Sequence, residues 1–168
     1  LAVEAIRARC DAIVQISTGG AVGTAAQERL RPLSIGPEMA TLTAGTVNFG
    51  EEIFSNPWSL IVEFARTMQE RGVKPEIEIF DAGMIANAPR LRDKGLISDP
   101  LHFDLVLAVP GALARAVAGV DAPLAQTQRK RALQEVRESV LGLIGEVPGG
   151  SLSLRPFQVE GSAANVLR

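Results

Sequence analysis

Residues 74–81, Lys-Pro-Glu-Ile-Glu-Ile-Phe-Asp, constrain this chain more than any other segment. Ile77 and Ile79 alternate with Glu76, Glu78 and Phe80, the period of a β-strand, between two helix-like stretches. A strand placed so is expected to be parallel and covered by helices, and such strands usually carry apolar residues on both faces. Here one face carries two carboxylates, Glu76 and Glu78. Burying an unpaired carboxylate costs several kcal/mol. Glu78, near the carboxyl end, therefore lies either on the wet face of an edge strand or in a site.

The rest of the chain repeats helix, strand and loop. Residues 1–9 read as a helix end; Leu1-Ala-Val-Glu lacks an initiating Met and a signal-like apolar segment, and reads as the second half of an amphipathic helix. A strand is expected over 12–18, ending in Gly19-Gly20, then a helical turn over 27–33 and a strand over 39–43. A loop follows through Gly45 and Asn48. Ser55-Asn56 can cap the next helix, Pro57 suits its first turn, and Trp58, Ile61, Phe64, Ala65 and Met68 recur at helical spacing as a core stripe. Gly72 should end it in the left-handed conformation. A helix over 84–94 closed by Gly95, and a strand over 101–109 ending in Pro110-Gly111, complete the pattern. Four strands alternating with helices indicate a parallel α/β sheet. Beyond Gly111 no further βα unit is expected: 123–147 contains a charged helical stretch, Pro148-Gly149-Gly150 breaks it, and a weakly patterned end follows. The expected organisation is thus an α/β segment over 1–112 and a helical or irregular tail over 113–168.

Seventeen basic and nineteen acidic side chains leave a net charge of −2. That balance argues against nucleic acid or an anionic membrane as the main partner, and the run Arg129-Lys130-Arg131 reads as a solvated helix face. No apolar run approaches the roughly 18–20 residues of a membrane span. The one cysteine, Cys10, excludes an internal disulfide and a cysteine zinc cage, and is expected to pack in the core. A cytoplasmic location is expected.

Ligands of parallel α/β sheets collect beyond the carboxyl ends of the strands. Those ends supply Ser17, Thr18, Gly19 and Gly20, then Thr41 and Thr43, then Glu78 and Asp81, then Pro110-Gly111. With Ile16, Ile77 and Ile79 against the helices, Ser17 and Glu78 turn the other way. A hydroxyl, a glycine pair and a carboxylate would converge on one mouth, suited to a small substrate with a carboxylate or carbonyl at one end and a cationic or hydroxyl group facing Glu78. Ser17-Thr18-Gly19-Gly20 lacks the spacing and lysine of a phosphate loop, and a tight turn after a strand explains it equally well. His102, at the start of its strand, reads as a core or bottom-face residue.

Four stretches together carry a resemblance: Ser17-Thr-Gly-Gly; Pro37-Glu-Met-Ala-Thr-Leu-Thr-Ala-Gly-Thr-Val-Asn-Phe-Gly; Arg71-Gly-Val-Lys-Pro-Glu-Ile-Glu-Ile-Phe-Asp; and Pro100-Leu-His-Phe-Asp-Leu-Val-Leu-Ala-Val-Pro-Gly. Their order and spacing over about residues 1–112 resemble the β-keto acid cleavage enzymes, a family that includes the 3-keto-5-aminohexanoate cleavage enzyme of lysine fermentation. The resemblance implies a (β/α)8 TIM-type barrel, of which this chain would hold four strands with their helices. It also implies condensation of a β-keto acid with acetyl-CoA, releasing acetoacetate and a new CoA thioester, with a zinc ion polarising the keto acid. By the same resemblance Ser17, Gly19 and Gly20 would bind the carboxylate end and Thr41 would line the pocket. Glu78 would face the variable end, where an amino group can sit.

The chain departs from the family pattern in two places. The family's His-x-His zinc motif would lie upstream of Leu1, and its late strand bearing a glutamate ligand, an aspartate and an arginine is not recognisable in 113–168. The expectation is a chain holding part of the substrate pocket, with no metal ligands and no identified catalytic residue, and so inactive alone. The other reading is a non-catalytic remnant or interaction module. Four strands cannot close an eight-stranded ring, so exposed edges and an apolar inner face are expected to be covered by the tail or by self-association into a homo-oligomer.

Overall fold

The computed structural model describes residues 2–107 and 151–156. Its centre is a five-stranded sheet, every paired neighbour parallel, built from β1 (Gln15–Ile16), β2 (Met39–Thr43), β5 (Lys74–Ile79), β6 (His102–Leu107) and β7 (Ser151–Pro156), in that order. A separate antiparallel hairpin, β3 (Val47–Phe49) and β4 (Glu52–Phe54), interrupts the connection from β2. The described helices are α1 (Ala2–Arg7), α2 (Ala26–Leu30), α3 (Trp58–Glu70), α4 (Ala82–Ile85) and α5 (Asn87–Asp93), with a 3₁₀ turn over Arg31–Ile35. This is the α/β segment of a TIM-type barrel, with strands following one another around the sheet. Among the described residues no helix is long and apolar enough to cross a membrane.

Register explains how one sequence makes two unlike faces. Paired neighbours of parallel strands point the same way, so Leu42, Ile77 and Phe103 share one face with Ala40, Ile79 and Leu105. All six are buried, and Ile61, Phe64, Ala65 and Met68 of α3 complete the core with Ala88 and Leu91 of α5. The opposite face carries Thr41, Glu76 and His102 in one row and Thr43, Glu78 and Asp104 in the next. The inner face is therefore polar, which corrects the expectation of an apolar one. Alternation in β5 sends its isoleucines to the helices and its carboxylates to the other side.

Several boundaries differ from the sequence reading. The strand expected over 12–18 shrinks to Gln15–Ile16, and Ile13 is 71% exposed. Cys10 is exposed rather than packed, because it follows the last turn of α1 in a segment that the sheet does not reach. The helical turn at 27–33 is α2 running into the 3₁₀ turn, and the helix at 84–94 is two short helices, α4 and α5. Asn56 does not cap α3: Pro57 occupies that position without a side-chain cap, and the Asn56 amide is used elsewhere. Gly72 ends the helix with φ 66° as expected. Trp58 is only half-buried, with the Arg90 guanidinium 3.9 Å from its ring centroid. The weakly patterned end contains β7, in register with β6 from His102↔Ser151 to Leu107↔Pro156. Residues 108–111, including Pro110-Gly111, and the helical stretch at 123–147 lie outside the described residues.

Candidate functional site

The carboxyl ends of β1, β2 and β5 open into a cavity of ≈ 400 Å³. It is lined by Ser17, Gly19 and Gly20 after β1, by Thr43 of β2 and Glu78 of β5, and by Phe49, Glu52 and Phe54 of the hairpin. Phe80, Ala21 and Val22 add apolar surface. Of the residues expected from sequence, Ser17, Gly19, Gly20 and Glu78 line this one space.

Thr41 does not. Its side chain lies one row below the mouth, where Oγ1 accepts a 3.0 Å hydrogen bond from the Thr18 N–H. The Thr18 hydroxyl in turn donates to the Thr41 carbonyl at 2.6 Å. Thr41 thus fastens the end of β1 to β2, and the threonine at the cavity is Thr43. Its hydroxyl donates to Glu78 Oε2 at 2.7 Å, fixing the carboxylate's rotamer while leaving it only half-buried.

The loop after β1 is shaped for close approach. Gly20 has φ 134°, which strains any L side chain, and a Cβ there would crowd Thr24 Oγ1 at 3.1 Å. The Gly19 N–H donates to Ser17 Oγ at 3.0 Å, which orients the hydroxyl at the cavity wall. Asp81 works elsewhere: it caps α4, accepting from the Met84 N–H at 3.1 Å.

Sequence reasoning missed two contributions. One is the hairpin, in place of the loop expected through Gly45 and Asn48: Gly50, with φ 67°, begins a two-residue connection between paired Phe49 and Glu52. The other is Arg29, which a charged helical turn would place in solvent. Instead it is 5% exposed behind the cavity wall. Its guanidinium lies 4.5 Å from the Phe54 ring centroid and 4.7 Å from that of Phe64. Nε donates to the Thr18 carbonyl at 2.9 Å and Nη2 to Asn56 Oδ1 at 2.8 Å. Burial pushes this guanidinium below its ordinary pKa, and the negative Glu78 pushes it back up.

Among the described residues no three His, Cys, Asp or Glu side chains are grouped to hold a metal. The sequence's one histidine, His102, begins β6, beside Glu76 and one row below Glu78.

Comparison with known proteins identifies the family and supports the fold. A family model described as beta-keto acid cleavage enzyme matches residues 1–145, past the point at 112 where the resemblance seen in sequence stopped. A 3-keto-5-aminohexanoate cleavage enzyme of Fusobacterium nucleatum subsp. nucleatum is 56% identical over 109 residues, 64% of this chain and 40% of that protein. A 3-oxoadipate:acetyl-CoA acetyltransferase of Cupriavidus necator is 39% identical over 112 residues, 66% of this chain and 39% of the relative. The chain thus spans about two fifths of the length of these relatives. A solved ternary complex of ObcA with a C4-CoA adduct and oxalate shares the fold with a TM-score of 0.69 at 22% identity, covering 88% of this chain and 38% of that one. The chain belongs to the beta-keto acid cleavage enzyme family.

Proposed function

We propose that the cavity receives a small β-keto acid bearing a cationic group, and that this chain supplies the substrate-recognition part of its cleavage. The acid's carboxylate sits at Ser17, Gly19 and Gly20, and its cation faces Glu78. The observation that carries this reading is the division of the cavity: neutral donors after β1, and Glu78 of β5 held by Thr43 of β2. Among the described residues, the charged ones that line it, Glu52 and Glu78, are both acidic. A zwitterion satisfies both ends, and 3-keto-5-aminohexanoate, for which the 56% identical relative is named, has that distribution.

The co-substrate is acetyl-CoA, as in the name of the acetyltransferase relative. The acetyl unit joins the keto acid's carboxylate-bearing two-carbon fragment as acetoacetate, and the remaining acyl fragment leaves on CoA. Zinc dependence is part of the reading for the whole protein, and no step is assigned here to the metal. With one histidine and one cysteine in the sequence, the 168-residue chain is expected to bind the acid without turning it over. The reading places it in the cytoplasm, and self-association is expected where the sheet order ends at β1 and β7.

Titration of the chain with 5-aminohexanoate and with hexanoate tests the recognition, since the two differ only in the ammonium group. The aminated acid should bind at least about tenfold more tightly, the worth of one charge-assisted hydrogen bond. Equal affinities would contradict the assignment of the cationic end.

A further inference from the structure

Arg29 touches none of the cavity, yet it contacts what shapes two of its walls. Thr18 lies between Ser17 and Gly19, both of which line the space. All of its polar atoms are engaged: its N–H and hydroxyl with Thr41, and its carbonyl with Arg29 Nε. The peptide linking Thr18 to Gly19 is a planar trans unit, so its C=O and N–H point in opposite directions. With the carbonyl drawn back to the buried guanidinium, the Gly19 N–H is turned forward to Ser17 Oγ, on the cavity side.

The other end of the guanidinium holds the hairpin. Nη2 binds Asn56, whose amide donates back to the Phe54 carbonyl at 3.4 Å and whose N–H donates to Thr46 Oγ1 at 2.9 Å. The planar group also lies between the Phe54 and Phe64 rings, an arrangement that favours a delocalised cation. Lysine offers no planar fork to meet a carbonyl, an amide and two rings together.

We propose that Arg29 is the positioning residue of this pocket, setting the Thr18–Gly19 peptide so that the Gly19 N–H holds the Ser17 hydroxyl toward the carboxylate of the bound acid, and holding the hairpin through Asn56. This rests on the proposed carboxylate site. Arg29 acts through Thr18 and Asn56 and has no contact with substrate. Its contribution is read on the acid end with hexanoate, which lacks the cation that Glu78 would recognise, because the Arg29 charge also acts on Glu78.

The test is hexanoate binding to the full chain, followed by the amide signals of Gly19 and Gly20, in wild type, Arg29→Lys, Asn56→Ala and the exposed-surface control Arg66→Lys. Thermal melting confirms that each variant is folded. Arg29→Lys should bind hexanoate roughly tenfold more weakly and Asn56→Ala a few-fold more weakly, while Arg66→Lys binds as wild type. A folded Arg29→Lys with wild-type affinity would overturn the positioning role and leave the carboxylate site standing. Absence of hexanoate binding in wild type would overturn both. If Arg29→Lys does not fold, Asn56→Ala decides: unchanged affinity in that variant overturns the proposal.

Discussion

The two faces of the central sheet are made by the same strands and do opposite things. Toward α3 and α5, Leu42, Ile77, Ile79, Phe103 and Leu105 are buried hydrocarbon, and their worth is stability. On the other side, Thr41, Thr43, Glu76, Glu78, His102 and Asp104 stand in rows, and the upper row leads into the cavity. Neighbours one residue apart in β5 therefore belong to different tasks. The core face tolerates loss of function but not loss of volume; for the cavity face the reverse should hold.

That contrast can be broken by comparing Ile77→Ala with Thr43→Val. Ile77 is fully buried, so truncation leaves a cavity and should cost about 2–5 kcal/mol in denaturant unfolding. Thr43→Val keeps the volume and removes the hydrogen bond to Glu78, so its stability cost should stay near 1 kcal/mol. Equal costs would mean that the polar face is scaffold as well.

A smaller effect sharpens the boundary of the site. Asp81 follows the β5 strand but serves α4 as its cap, so Asp81→Ala should lose about 1 kcal/mol of stability without altering acid binding. A loss of binding at unchanged melting temperature would move Asp81 into the pocket.

The smallest effect lies away from the cavity. Glu38 accepts from the Val14 N–H at 2.9 Å and from Arg7 at 2.7 Å, and these bonds, the first foremost, hold its pKa below the ordinary value. A depressed folded pKa stabilises above the unfolded value of about 4.3 and is lost as pH falls through the folded one. The melting difference between wild type and Glu38→Gln should thus be small at neutral pH and vanish on acidification. A difference that grows in acid would reverse the sign.

The legible parts of this molecule were those set by local pattern. The alternation of Ile77 and Ile79 with Glu76 and Glu78 marks the strand and its parity within eight positions of sequence. The stripe of α3 and the left-handed Gly72 were equally local. Arg29 was not legible, because its partners Thr18, Asn56, Phe54 and Phe64 lie in three other segments that only the fold brings together. Thr41 and Thr43 share a face, so parity could not choose between them; height along the strand does, and that follows from where β1 ends. The hairpin and β7 did carry signals, a glycine-led two-residue turn and the alternation Ser151-Leu-Ser-Leu154, but the hairpin strands are three residues each and the β7 alternation is weak beside that of β5.

We expect Glu78 to act as a recognition residue on a strand whose stability comes from its other face. Thermal melting of Glu78→Gln beside its binding of 5-aminohexanoate and hexanoate tests this most directly. The account predicts a melting temperature close to wild type, unchanged hexanoate affinity, and a loss of preference for the aminated acid of roughly ten- to a hundredfold. A large fall in melting temperature, with the preference between the two acids intact, would show that Glu78 is scaffold and contradict the account.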